Sequence, residues 1–130
     1  GGAFAIELRV TLQTALMRAR GLAPALLSCG PATNLYWTAA QLVTHHTSGG
    51  CNLNPGDLLG TGTISGPKAG SFGSLMEIAS GGRRPCALPG GETRVALEDG
   101  DEITLAATAH APGYVSIGFG PCLGMVASVL

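Results

Sequence analysis

Residues 6–13 read IELRVTLQ, and this octet decides the fold class. Ile6, Leu8, Val10 and Leu12 alternate with Glu7, Arg9, Thr11 and Gln13. Successive side chains of a strand point to opposite faces, so a period of two predicts a half-buried strand with one apolar and one polar face. Phe4 extends the same strand-like pattern upstream. Downstream, Val115, Ile117 and Phe119 alternate into a terminal strand pair, with Gly118 and Gly120 marking bends or close backbone approach. Arg94–Leu97 and Glu102–Ala109 flank Glu98-Asp99-Gly100-Asp101 and read as a hairpin. Asn54-Pro55-Gly56-Asp57 is a turn, because proline fixes φ, glycine takes positive φ, and the Asn and Asp side chains bond nearby backbone. Leu58 to Ser65 follows as a short strand of small residues.

One helix stands out. Thr38-Ala39-Ala40-Gln41 has the capping-box spacing, in which hydroxyl and amide satisfy orphan backbone donors reciprocally. The helix is expected over about 38–47, stopping at Gly49-Gly50 with His45 and His46 in its last turn. Residues 14–33 carry Gly21, Pro24, Gly30 and Pro31, so any helix there is short. The balance is mostly strands with one real helix.

The 130 residues suffice for one modest domain and not for two ordinary ones. Seven Lys+Arg against eight Asp+Glu leave a net charge of −1, without the basic stripe that nucleic acid requires. The apolar runs are too short to span a bilayer. Cys29, Cys51, Cys86 and Cys122 form no C-x-x-C pair and no zinc-type spacing, so free thiols in a reducing compartment are expected. A chain that is 45% hydrophobic and only 12% charged, and that opens on Gly1-Gly2, reads as a piece of a larger protein with apolar cut faces.

Several residues invite a chemical reading. His45 and His46 are adjacent, so on a helix they point about 100° apart and cannot chelate one metal from one face. Near a helix C-terminus they sit well in the negative end of the dipole and can bond the last carbonyls. GTGTISG (Gly60–Gly66) and GFGPCLG (Gly118–Gly124) miss the dinucleotide fingerprint by one residue, open no helix, and lack a phosphate-binding lysine. Glu77, between Met76 and Ile78, is expected in a largely apolar neighbourhood, where a carboxylate is paired, orients a histidine or shifts towards its neutral form. A surface-facing strand position is the plain alternative. The residues alone give a candidate wall and a candidate acid, not a complete active site.

Taken together, LYWTAAQLVTHHTSGGCNLNPGDLLGTGTISGP (35–67), SFGSLMEIASGG (71–82), LEDGDEI (97–103) and GYVSIGFGPCLGMV (113–126) closely resemble the C-terminal part of the fumarylacetoacetases. NPGD…TGT fits the wider fumarylacetoacetate hydrolase superfamily, whereas Tyr36-Trp37-Thr38, THHT…GCN and FGS…ME are particular to the fumarylacetoacetases. The resemblance covers nearly the whole chain and is weakest over 14–33. It implies an α+β, mainly β fold, a mixed β-roll or sandwich, usually dimeric, with residues 1–130 forming the C-terminal portion of a catalytic domain.

The activity so implied is hydrolysis of the carbon–carbon bond of fumarylacetoacetate to fumarate and acetoacetate, the last step of tyrosine breakdown. In that family a histidine takes a proton from water, a glutamate orients the histidine, and calcium or magnesium binds the diketone oxygens. Residue by residue, the catalytic glutamate falls on Glu77 and a substrate-contacting threonine on Thr63. The family's histidine, metal ligands and charge-steadying Lys, Arg and Gln fall upstream, so no metal ligand is expected in this chain, and the chain alone is expected to be inactive. Val115 stands where the family has a basic residue, and GGRRPC (81–86) replaces a differently composed loop. The implied parent is a cytoplasmic homodimer acting on a small diketo acid, with neither nucleic acid nor membrane as partner. Two other readings remain open: a superfamily hydrolase of acylpyruvates or related diketo acids, and a non-catalytic dimerisation or binding module.

Overall fold

In the computed structural model, which describes residues 4–128, a four-stranded sheet organises the chain. Strand β1 is Ile6–Gln13, the alternating octet itself; Phe4 lies outside it. It is followed by a short helix α1 (Ala15–Ala19), β2 (Ala25–Pro31), helix α2 (Ala39–Ser48), a single helical turn α3 (Leu75–Ile78), the two-residue strands β3 (Cys86–Ala87) and β4 (Thr93–Arg94), β5 (Glu102–Ala109) and β6 (Ile117–Met125). The large sheet has the order β2-β1-β5-β6, and β3 and β4 form a separate ribbon. The fold is α+β and mainly β. Every strand pair among the described residues is antiparallel, where a mixed roll was expected.

Register explains how the sheet acquires its shape. β1 and β5 pair without interruption from Ile6↔Ala109 to Gln13↔Glu102, which puts Leu12 beside Ile103 and Val10 beside Leu105 on the apolar face. On β2 the pairing jumps from Val10↔Ser28 to Thr11↔Leu26, leaving Leu27 as the extra residue of a bulge. A bulge re-aims a side chain, and Leu27 enters the core. A second bulge, between Ala106↔Pro121 and Thr108↔Gly118, bends β6 where Gly120 takes φ +78°.

The core sits at one end of the apolar face. Leu12, Met17, Leu27 and Leu88 are buried there, with Val10, Leu22, Leu75, Ile78 and Ile103 packed around them. Met17 reaches it because Thr14 caps α1, accepting a bond from the Met17 N–H at 3.0 Å. At the other end the face is open: Leu105 and Phe119 are exposed, and no residue of β6 is buried.

One expected strand and one expected hairpin are not formed. Leu58–Ser65 runs without ladder partners: the sheet ends at β2 and β6, and neither pairs with it. The hairpin across Glu98–Asp101 is replaced by a tight turn, with the Asp101 N–H bonded to the Glu98 carbonyl at 2.9 Å and Gly100 at φ +82°. Beyond the turn the two segments diverge: β4 pairs with β3, while β5 pairs with β1 and β6. The cause is Arg94. Its buried guanidinium grips the fully buried Asp101 through Nε–Oδ2 at 2.8 Å and Nη2–Oδ1 at 3.0 Å, and also contacts Glu92 and Glu98. Gripping the turn residue diverts β4 from the ladder.

The expected helix is α2, with both halves of the capping box made: Gln41 N–H to the Thr38 hydroxyl at 3.3 Å and Thr38 N–H to the Gln41 side-chain Oε1 at 2.9 Å. The Asn54–Asp57 turn is also present, with Gly56 at φ +97° and the Asn54 N–H on the Asp57 carboxylate. The four cysteines are free thiols. No helix of the described residues is long and apolar enough to cross a membrane.

Burial alone would raise the Asp101 carboxyl, but hydrogen bonds from Arg94 and the Glu98 N–H, with the Arg94 and Arg18 charges, outweigh it and hold it below the ordinary aspartate range. A depressed folded value means the stability is present above the ordinary value of about 3.9 and is lost as pH falls from there through the folded value. Denaturant unfolding is therefore expected to show a stability loss that begins near pH 4 and deepens below it. Asp101→Asn should flatten that acid dependence and cost about 3–5 kcal/mol at pH 7, because it strands a buried guanidinium. An unaltered acid profile in the variant would remove the pair from this role.

Candidate functional site

The long segment between α2 and α3 folds back over the open half of the sheet. It has no ladder, so isolated bonds hold it. The Gly66 N–H reaches the Ser71 carbonyl at 2.7 Å, and the Cys29 N–H of β2 reaches the Gly70 carbonyl at 2.8 Å. Packing does the rest. A Cβ on Gly73 would stand 2.5 Å from the Ile64 carbonyl oxygen and 2.6 Å from Thr63 Cγ2, so the two passes of chain touch only because residue 73 has no side chain.

This close approach brings the two sequence-selected residues to one place. Thr63 and Glu77 both line a cleft of about 540 Å³, together with Asn34, Tyr36, Trp37 and Ser65. Thr63 also borders a second cleft of about 500 Å³, floored by the sheet residues Val10, Leu105, Phe119 and Cys122. Its hydroxyl makes no hydrogen bond to the described residues, so it is free to meet a ligand. Tyr36 and Trp37 pack edge to face, with centroids 4.8 Å apart and an interplanar angle of 83°, forming an aromatic lip on the first cleft.

Glu77 departs from its expected setting. It occupies a helical turn rather than a strand, and it is exposed rather than sunk among apolar neighbours. Helical periodicity explains this: Leu75 and Ile78, three apart, turn into the core, while Met76 and Glu77 face outward. Its Oε2 accepts the Ser74 hydroxyl at 2.7 Å and the Ser65 hydroxyl at 2.8 Å. The Ser74 bond, then the Ser65 bond, hold the carboxyl below the ordinary glutamate range against the opposing effect of partial desolvation. The shift is away from the neutral form, not towards it. Oε1 makes no bond among the described residues. The sequence reading missed both serines, although Ser74-x-x-Glu77 has the capping spacing already noted at Thr38.

His45 and His46 occupy the last turn of α2. Only His45 borders the separate cleft of about 420 Å³ beside Trp37, as side chains about 100° apart require. Neither ring bonds the terminal carbonyls; the Ser48 hydroxyl donates to the His45 carbonyl at 2.7 Å, while the Thr44 and Thr47 hydroxyls back-bond the Ala40 and Val43 carbonyls within the helix. His110 is paired with Ser116, Nδ1 to Oγ at 2.8 Å. No imidazole among the described residues bonds Glu77. No group of three or more His, Cys, Asp or Glu is gathered among them, so their donor set does not fit a calcium or magnesium ion.

The family model described as fumarylacetoacetate (FAA) hydrolase C-terminal matches residues 5–126. The chain belongs to this family. Among curated relatives, the fumarylacetoacetase of Arabidopsis thaliana is 52% identical over 93 residues, covering 72% of this chain and 22% of that protein. The Homo sapiens fumarylacetoacetase is 49% identical over 96 residues, covering 74% and 23% respectively. The Mus musculus fumarylacetoacetase is 41% identical over 128 residues, covering 98% of this chain and 29% of its own length. The chain thus spans about a quarter of the curated relatives it matches.

In this family member the cleft wall depends in part on the close approach at Gly73. Gly73→Ala is expected to cost about 1–3 kcal/mol in thermal or denaturant unfolding, because the Ile64 backbone has to move. Gly60→Ala, with nothing within 4 Å of the added Cβ, should stay within about 0.5 kcal/mol of the parent. Equal effects at the two positions would show that the contact does not support the wall.

Proposed function

We propose that this chain acts as the C-terminal part of a longer hydrolase that cleaves the carbon–carbon bond of fumarylacetoacetate, giving fumarate and acetoacetate in tyrosine catabolism. Family membership and the fumarylacetoacetase relatives support the reaction class. One observation carries the reading to residues: Thr63 and Glu77 line a single cleft, the first with an unused hydroxyl and the second with an anionic carboxylate that keeps one oxygen free.

Carbon is a poor leaving group, so the step needs water activated at the carbonyl. The base is a histidine from outside this chain. When it takes the proton from water it becomes an imidazolium, and Glu77 Oε1 is the acceptor that orients the ring and balances its charge. The Thr63 hydroxyl hydrogen-bonds the substrate in the same cleft. In this reading a calcium or magnesium ion supplies Lewis acidity from ligands outside the chain. The parent is a cytoplasmic homodimer; four free thiols fit a reducing compartment, and size-exclusion chromatography with scattering checks the dimer.

In the complete enzyme Thr63→Val should raise KM more than it lowers kcat, with a loss of about 0.5–1.5 kcal/mol in kcat/KM, since a substrate hydrogen bond contributes similarly in ground and transition states. A normal KM with a collapsed kcat would place Thr63 in the chemistry instead.

Glu77→Gln should lower kcat by roughly 10²–10⁴ with little change in KM, since the amide removes the charge opposite the imidazolium and favours the wrong tautomer. Steady-state kinetics on fumarylacetoacetate, acylpyruvates and other diketo acids check both role and substrate. A fully active Glu77→Gln variant would leave this chain as a binding or dimerisation module.

A further inference from the structure

We propose that Ser65 and Ser74 are positioning residues for Glu77, immobilising Oε2 through two hydroxyls so that Oε1 is presented to the incoming imidazole in one orientation. The inference rests on the reading of Glu77 given above and adds to it the pair of side chains that make the carboxylate directional.

The argument turns on where the hydroxyl protons point. A serine hydroxyl rotates, and it donates wherever its accepting side leaves it free to do so. Here both accepting sides are engaged by backbone. Ser65 Oγ accepts the Gly73 N–H at 2.9 Å, and Ser74 Oγ accepts the Glu77 N–H at 3.2 Å. Each proton is then committed to the same carboxylate oxygen, at 2.8 and 2.7 Å. An exposed glutamate otherwise samples many rotamers, so two converging donors remove freedom that would blur the angle of Oε1.

Helix capping alone does not account for this arrangement. A cap requires Ser74 to accept the Glu77 N–H, and does not require it to donate to the Glu77 carboxylate. Ser65 belongs to no helix. It lies two residues beyond Thr63, on the wall that Gly73 holds in place. Its hydroxyl therefore locks the substrate-contacting wall to the carboxylate, so that Thr63 and Glu77 keep a fixed separation within the cleft.

The test is a double-mutant cycle in the full-length enzyme, assayed on fumarylacetoacetate. Ser65→Ala and Ser74→Ala are each expected to lower kcat about tenfold, the size of one lost bond to a charged group, with KM held within about twofold. In a Glu77→Gln background the same changes should lower kcat by less than about twofold, because the group they position is gone. Ser65→Thr and Ser74→Thr, which keep the hydroxyl, should recover most of the lost turnover. If Ser65→Ala does not fold, Ser65→Cys carries the comparison, being close in size with a weak donor. Wild-type kcat in the alanine variants, or equal losses in both backgrounds, overturns the inference while leaving Glu77 in place. Full turnover by Glu77→Gln alone overturns both together.

Discussion

The buried ion pair between Arg94 and Asp101 is the constraint from which the ordered half of this molecule follows. Charges are withdrawn from water only at high cost unless each is paired and its remaining hydrogen-bonding capacity is met. Here the guanidinium is shared among Asp101, Glu92 and Glu98, and Glu92 in turn accepts the Thr14 hydroxyl that caps α1. One corner thus ties together the end of β1, the β3–β4 ribbon and the turn into β5. The Leu12–Met17–Leu88 core lies beneath it, and the corner decides which strands meet there.

With one end of the sheet clamped, the other is left to carry the cleft. The wall that bears Thr63 has no ladder to hold it. It depends on a few backbone bonds and on the absence of a side chain at Gly73. Binding residues on irregular chain supported by a rigid scaffold are a common arrangement, because loops present side chains that a strand would have to alternate. The wall is positioned from below by the sheet and from the side by the α3 turn, and the two supports converge where Ser65 meets Glu77.

Among the described residues, Asp101 and Glu77 are the carboxylates drawn below their ordinary range, and they are held there in different ways. Asp101 is buried and owes its anionic state chiefly to hydrogen bonds and charge from a cation, which neutralises it. Glu77 is exposed and owes its state to two hydroxyls, which stabilise the charge without cancelling it. A structural carboxylate is best neutralised; one that balances a transient imidazolium has to remain an unspent anion. The contrast in partners matches the contrast in proposed roles.

Much of this was legible in the residues themselves. The alternation over Ile6–Gln13 produced β1, the Thr38–Gln41 spacing produced α2 with its full capping box, and Asn54–Asp57 produced its turn, because each signal is local and needs only neighbouring backbone. The motifs likewise sufficed for the family, and they selected Glu77 and Thr63, which the fold brings to one cleft. Only the tertiary structure decided that Leu58–Ser65 finds no strand partner, since pairing is a property of what lies alongside. It alone decided that Arg94 and Asp101 pair and redirect β4, because burial and partner choice depend on packing between distant segments. It also turned Glu77 outward onto two serines, one of them twelve residues away, where local composition had suggested an apolar setting. Local sequence carries dihedral preference and periodicity; which polar group faces which is fixed only when the chain closes on itself.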